Sequence, residues 1–295
     1  MTEIFGVPTQ ALFGQLLIGL INGSFYALLS LGLAVIFGLL NIINFTHGAQ
    51  YMLGAFFAYF LLDKAGVGYW WALAIAPLGA GLTGVLIERL MLVRLYKLDH
   101  LYGLLLTFGL ALIIQGLFRN EFGSSGLPYP IPGELAGGRN LGFMFLPNYR
   151  AWVIVASLAI CLATWFVIEK TKLGSYLRAA TENPALVKAF GVNVPRMITL
   201  TYGFGVALAA LAGVMAAPIY QVSPQMGADL IIVVFAVVVI GGMGSILGSI
   251  VTGFALGLVE GLTKVFYPEA SNTVIFVIMA IVLMFKPAGL FGTQR

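Results

Sequence analysis

The sequence has few of the residues that aqueous chemistry depends on. Lys and Arg number 15 and Asp and Glu 11, so charged residues fill 9% of 295 positions, against about 25% in a soluble domain. So few charges could not keep water over the surface of a soluble protein of this size, which excludes a soluble enzyme and a disordered chain. A single cysteine, Cys161, excludes an intramolecular disulfide and with it a secreted disulfide scaffold. Its apolar surroundings mark it as a small hydrophobe. One cysteine and two histidines argue against a structural zinc site. Neither G-x-S-x-G nor H-E-x-x-H occurs. No Lys or Arg precedes the first apolar run. A cleavable signal peptide needs a positive start, so this first segment is expected to remain in the mature protein.

What is abundant is apolar. Hydrophobic residues make up 60% of the chain and mean hydropathy is +1.01. The expected fold is all-α: a polytopic membrane protein of eight to ten transmembrane helices with broken or re-entrant segments, in a single transmembrane domain over 1–295. Apolar runs lie at 11–40, 48–62, 69–93, 101–118, 151–168, 197–217, 228–241, 245–263 and 273–285. A helix needs about 20 residues to cross a bilayer. The runs at 48–62, 228–241 and 273–285 are therefore expected to borrow neighbours or to be re-entrant. The net charge of +4 sits in short loops, which points to membrane orientation rather than to nucleic acid.

Lys and Arg in short loops mark the cytoplasmic side. Segment 94–100 follows Arg89 and carries Arg94 and Lys97; segment 169–196 carries Lys170, Lys172, Arg178, Lys188 and Arg196. Both are expected inside. Segment 119–150 then lies outside, as does the N-terminus, with the C-terminal tail inside. Segment 119–150 holds Pro128, Pro130 and Pro132 among glycines, so it cannot be one helix. It is either a plain connector or a functional loop. Glu88 lies near a cytoplasmic helix end, Asp229 and Glu260 near outer ends. No central carboxylate offers a proton relay, which argues against a proton-coupled transporter.

The cytoplasmic segment carries helix punctuation. Asn183 is a good N-cap, Pro184 suits the first helical position and Gly191 suits a left-handed closing residue. The two-turn helix between them is expected to place Leu186, Val187 and Phe190 on one face. So short a helix is unstable alone in water and must dock, either on this protein's own helix ends or in a partner's groove.

After the first span comes a polar break, Asn41-Ile42-Ile43-Asn44-Phe45-Thr46-His47-Gly48-Ala49-Gln50. Asn41, Asn44, His47 and Gln50 recur every three residues, which drifts around a helix of 3.6 residues per turn and fits an interrupted helix better. Polar groups at membrane depth face protein or a water-filled cavity. Asn41, Asn44, Thr46, His47 and Gln50 either line a translocation path or pair with neighbouring helices.

The run from Gly241 to Gly248 looks like a phosphate loop, but no Lys follows and the spacing fails G-x-G-x-x-G. It reads as a break between two apolar half-spans. Any ATP that drives this chain is therefore expected to bind another polypeptide. Gly253, Gly257 and Gly261 form a small-residue stripe for close helix packing, internal or between subunits. Both halves pair such a helix with a broken segment (19–54 and 241–261), as transporters with internal repeats do.

Three stretches, in order along the chain, resemble the permeases of bacterial branched-chain amino-acid ABC importers. They are Asn22 to Leu28 with Ile43-Asn44-Phe45-Thr46-His47-Gly48, the 178–191 segment, and Ile240 to Gly257. The resemblance implies an inner-membrane subunit, not itself an enzyme, that moves branched-chain or related amino acids. It implies a homologous second permease, two cytoplasmic ABC ATPases and a periplasmic solute-binding protein as partners within the lipid bilayer, and no nucleic acid. It implies no cofactor in this chain, with ATP and magnesium held by the ATPases. The ATPase-coupling residues would be Arg178, Glu182, Asn183, Pro184, Leu186, Val187, Phe190 and Gly191. The chain departs from the general permease pattern E-A-A-x-x-x-G in having Arg178-Ala179-Ala180 and a later glycine. Relatives of this type also import urea, amides or aromatic acids. An autonomous channel or secondary transporter is the rival class.

Overall fold

The computed structural model describes residues 3–4, 6–40, 43–96, 98–142 and 144–292. A short hairpin pairs β1 (Glu3–Ile4) with β2 (Val7–Pro8). The helices follow in order: α1 (Thr9–Leu40), α2 (Thr46–Ala65), α3 (Tyr69–Leu90) and α4 (His100–Phe122). A second hairpin, β3 (Gly138–Asn140) with β4 (Phe145–Pro147), leads into α5 (Asn148–Lys170). The chain continues as α6 (Lys172–Glu182), α7 (Pro184–Ala189), α8 (Val194–Tyr220), α9 (Met226–Gly241), α10 (Ile246–Phe266) and α11 (Val274–Phe285). The fold is all-α and multi-pass, as the composition requires. Stretches of α1, α3, α4, α5, α8 and α10 are long and apolar enough to cross a membrane.

The three short runs resolve differently. The second borrows residues at both ends and becomes the 20-residue α2. α9 and α11 stay at 16 and 12 residues. At 1.5 Å per residue they reach only about 24 and 18 Å into a hydrocarbon layer of about 30 Å. The expected loop at 119–150 is shorter than read: α4 runs on to Phe122 and α5 opens at Asn148, so Arg119, Glu121 and Arg150 belong to helix ends. The expected cytoplasmic loop at 169–196 is mostly helix, because α6 and α7 occupy it.

The chain forms two compact units. One comprises residues up to Ser30, Ile131–Cys161 and those from Val233 onward. Its centre is the contact of α1 with α10. Gly253, Gly257 and Gly261 recur every fourth residue and so share one face. A Cβ on Gly257 would fall on the backbone of Gly19 and Gly23, and one on Gly253 would meet Ala27 backbone at 2.5 Å. The stripe thus packs within the chain. Beside it, buried Glu260 lies six residues before Phe266, further inside α10 than an end position. It accepts from Tyr26 Oη at 2.7 Å and Asn22 Nδ2 at 3.3 Å, and it pairs with Lys264 one turn on. Its carboxylate is thus held by three donors, one of them charged. Between α9 and α10 the chain turns on Gly242 and Gly244, with φ of 103° and 84°, a backbone that L side chains rarely adopt. Ser245 caps α10 by accepting from the Gly248 N–H at 3.1 Å. The last carbonyls of α9, on Ile240 and Gly241, accept from Leu290 and Phe291. The broken helix therefore leaves these ends satisfied without water.

The other unit comprises Leu31–Pro130 and Leu162–Ile232. α2, α3 and α8 form its core, and glycine permits their approach. Gly54 of α2 meets the Ala210 backbone, Gly213 of α8 meets the Tyr51 carbonyl, and Gly84 of α3 sits on Val206. Phe56 and Phe60 of α2 stack with Phe118 and Phe122 of α4, with centroids 4.6–6.5 Å apart. Elsewhere α4 is apolar and outward-facing; Thr107 is its one buried residue. Such a surface is stable against lipid and unstable against water.

Candidate functional site

The polar break lies in the second unit. Asn41 falls outside the described residues. α2 begins at Thr46, so Thr46, His47 and Gln50 stand on one continuous helix and only Asn44 precedes it. Asn44, Thr46, His47 and Gln50 are all fully buried. Asn44 Nδ2 donates to Gln50 Oε1 at 3.2 Å, Gln50 Nε2 donates to Thr46 Oγ1 at 3.2 Å, and the Thr46 hydroxyl donates to Asn44 Oδ1. These bonds close a ring of three side chains. Tyr202 Oη of α8 lies 3.5 Å from the Thr46 oxygen. His47 faces another way, its ring against Gly32 of α1, where an added Cβ would meet it at 3.0 Å. The interruption itself is stapled by α4. Thr107 Oγ1 donates to the Ile43 carbonyl at 3.1 Å and accepts from the Phe45 N–H at 3.2 Å. Buried amides and hydroxyls so paired cost little, whereas the same groups unpaired cost several kcal/mol.

Immediately beside the ring is an apolar cavity of about 80 Å³, lined by Phe45, Gly48, Phe108, Leu112, Pro224 and Ile231, with Gln115 as its amide. The alternation Asn44-Phe45-Thr46 explains the proximity: one side of the break is polar and the other apolar. Gly48 and Gly227 touch backbone to backbone at its wall. Sequence reading finds the ring by its polar residues in an apolar chain. It misses Tyr202 and Thr107, which are single polar residues in apolar helices and carry no local pattern.

Thr46 is the shared partner of the ring, so Thr46→Val should be costly although it keeps the shape. It strips Gln50 Nε2 and Asn44 Oδ1 of a partner at zero exposure. Each buried orphan costs about 1–3 kcal/mol. Thermal unfolding in detergent is expected to move down by several degrees, with Thr46→Ser near wild type. An unchanged midpoint for Thr46→Val would show that the ring does not hold the break.

The second site is the α5–α8 connection. α5 reverses into α6 so tightly that a Cβ on Gly174 would strike the Ile168 carbonyl. Arg178 Nη1 donates to that carbonyl and to Glu169 Oε2, both at 3.2 Å. Arg178 thus braces α6 on the end of α5. Glu182 is the last residue of α6 and is exposed. Asn183 Oδ1 then accepts from the Leu186 N–H at 3.0 Å, Pro184 holds the first helical position, and Gly191 closes the turn at φ 84°. The punctuation of α7 is as expected, but the shared apolar face is not. Val187 is buried with Ala180 and Val194, while Leu186 is 54% and Phe190 80% exposed. The reason is geometric: Leu186 and Phe190 are four apart and point the same way, and Val187 lies about 100° round from Leu186. One side of this short helix docks on its own protein and the other is left free.

Among the described residues no three His, Cys, Asp or Glu side chains come together to hold a metal.

Residues 15–283 match the family model described as the permease component of branched-chain amino acid transport systems. The chain is 28% identical over 305 residues to the high-affinity branched-chain amino acid transport system permease protein LivH of Escherichia coli (strain K12), covering 99% of this chain and 98% of LivH. It is 29% identical over 291 residues to BraD of Pseudomonas aeruginosa, a permease protein of the same description, covering 94% and 95%. It is 28% identical over 296 residues to the E. coli permease protein LivM, covering 92% of this chain and 68% of LivM. No solved structure matches.

Proposed function

The chain belongs to the family of branched-chain amino acid transport system permease components, and from that membership we propose that it forms one half of the membrane pore of an ATP-driven importer. The substrates are branched-chain amino acids or close analogues; short amides, urea and aromatic acids are the alternatives that uptake must exclude. A second, homologous permease completes the pore. The chain is similar to LivH along nearly its whole length and to LivM along about two thirds of that protein, so it takes the LivH-like position and its companion the LivM-like one. Two ABC ATPases bind on the cytoplasmic side and hold ATP and magnesium; a periplasmic binding protein delivers substrate to the other face. The membrane is the bacterial inner membrane, with the N-terminus periplasmic and the C-terminus cytoplasmic by the distribution of Lys and Arg.

The observation that carries this reading is α7, whose buried Val187 anchors it while Leu186 and Phe190 stand out from the protein. A helix held at its root with an apolar ridge exposed suits insertion into a partner's groove. ATP-driven movement of the ATPases would push α7, and α6, braced by Arg178, would pass the push to α5. Asn44, Thr46, His47 and Gln50 border the path at the level of the break, and the adjoining apolar cavity suits an aliphatic side chain. The path reading requires a state in which this ring opens, because polar groups at membrane depth need protein or water.

Reconstitution tests it. Proteoliposomes holding both permeases and the ATPases should take up labelled leucine, isoleucine or valine only with internal ATP and external binding protein. This chain alone should transport none of them. ATP-independent uptake by the single chain would replace the importer reading with an autonomous channel.

A further inference from the structure

A second cavity lies in the same unit, away from the polar break. It is an open cleft of about 860 Å³ between the end of α3, the turn after it, α7 and the start of α8. That volume is within the range of ligand pockets, about 300–1,000 Å³. Its wall is chemically lopsided. Arg89, Lys188 and Arg196 line it against the single carboxylate of Glu88. Glu88 is 1% exposed and already accepts from Tyr96 Oη at 2.6 Å and from Thr199 Oγ1 at 2.7 Å. Burial, and this bond to Glu88, push the Tyr96 hydroxyl above its ordinary value, so it stays a donor. The carboxylate is therefore spoken for. Arg89, Lys188 and Arg196 are exposed, and among the described residues none of them forms an ion pair. The cleft also receives the N-terminus of the 27-residue α8, whose dipole favours a negative group there. Next to these cations the surface turns apolar: Leu86 and Leu90 of α3 are each 57% exposed and Leu200 of α8 69%.

We propose that this cleft binds the phosphate headgroup of an anionic phospholipid, with its acyl chains on the exposed leucines of α3 and α8. Arginine matches a phosphate diester by paired N–H donors, and lysine adds a point charge. Basic pockets beside membrane helices on the cytoplasmic side bind such headgroups. A soluble anion would use the cations but not the leucines, which is why a lipid suits the whole surface. Because Pro184 and Lys188 of α7 line the cleft, the bound headgroup would also steady the coupling helix. The proposal rests on the multi-pass assignment and not on the identity of the transported solute, so a different substrate would leave it intact.

Native mass spectrometry of the full chain in detergent tests it. The probes are phosphatidylglycerol, phosphatidylcholine of the same chain length, and inorganic phosphate. Phosphatidylglycerol should bind at least tenfold more tightly than phosphatidylcholine, and millimolar inorganic phosphate should not displace it. A basic residue near an anionic lipid surface is worth about fivefold, so Arg89→Gln/Arg196→Gln should lose about 25-fold and each single change about fivefold. Arg119→Gln, at the other end of α4, should bind as wild type and serves as the control. Equal binding of the two lipids, or wild-type affinity in the double variant, overturns the proposal. Displacement by inorganic phosphate also overturns it, leaving a site for free phosphate.

Discussion

A Leu186→Ser/Phe190→Ser double variant is expected to reach the membrane at wild-type level and to lose its ATPases. Neither side chain supports the chain's own fold: they are 54% and 80% exposed. The internal anchor, Val187, and the cap, Asn183, are untouched, so α7 should persist. In the assembled importer both side chains would be buried in the ATPase groove. Full burial of a Leu or Phe contributes about 1.5–3 kcal/mol each. With 54% and 80% of the two residues left to cover, losing both costs about 2–4 kcal/mol, or about one and a half to three decades of affinity at 1.4 kcal/mol per decade. Tagged pull-down should retain the second permease and shed the ATPase, and ATP-dependent uptake should vanish with it. Glu182→Gln/Pro184→Gly is a milder companion. It loosens the junction between α6 and α7 without removing the ridge, so ATPase should stay bound while hydrolysis no longer drives uptake. Val187→Ser should act oppositely, lowering the stability of the α6–α7–α8 cluster itself. ATPase retention by the double variant at wild-type affinity would remove α7 as the coupling element.

The contrast between Val187 and its neighbours marks where sequence reading stops. Asn183, Pro184 and Gly191 announce α7 because caps act within a few residues, and the structure obeys them. Which side of the helix turns inward depends on Ala180 and Val194, which no pattern within α7 names. The same division recurs elsewhere. The glycine break at 241–248 is legible because Gly is the residue for positive φ, and Gly242 and Gly244 adopt it. That Leu290 and Phe291 return to satisfy its carbonyls is a contact across some fifty residues and leaves no local trace. Glu260 reads as an end residue because its burial depends on Tyr26 and Asn22, 234 and 238 positions away. Its pairing with Lys264, four residues on, is its one local contact. In the polar break, residue type exposes Asn44, Thr46, His47 and Gln50, but the closure of a ring by Thr46, and the turning away of His47, follow from packing against α1, α4 and α8. The long helices survive such losses because an apolar run of about 20 residues has one stable outcome in a bilayer; the six described helices that meet that length and composition all lie in apolar runs legible in the sequence.

The packing of α2 on α8 yields the second large effect, and it lies at glycines that carry no motif. Gly54→Val is expected to abolish the folded second unit. In the native chain a Cβ at position 54 would fall on Ala210 Cα, C and O, all well inside the 3.0 Å that real Cβ atoms keep. These are backbone atoms, so no rotamer change relieves the clash; the helices themselves must part. One turn along, Gly213 meets the Tyr51 carbonyl in the same way, so α2 cannot tilt about Gly54 without losing this second contact. Overpacking a core by a methylene or two costs about 1–3 kcal/mol when side chains can yield, and here they cannot. A native domain holds only about 5–15 kcal/mol in reserve. Parting α2 from α8 would also pull Thr46 from Tyr202, loosening the ring at the break. The expected result is a protein that is degraded or aggregated on extraction, with a monodisperse peak lost in size exclusion. Gly54→Ala should already be severely destabilised, because its one added atom is the Cβ that strikes the Ala210 backbone; valine adds two further methyl groups to the same clash. Gly116→Val is the control: a Cβ at position 116 of α4 meets nothing within 4 Å, so the same substitution there should be tolerated in the membrane. If Gly54→Val and Gly116→Val behaved alike, helix propensity rather than backbone contact would govern, and the close packing of α2 on α8 would not be what holds the unit together.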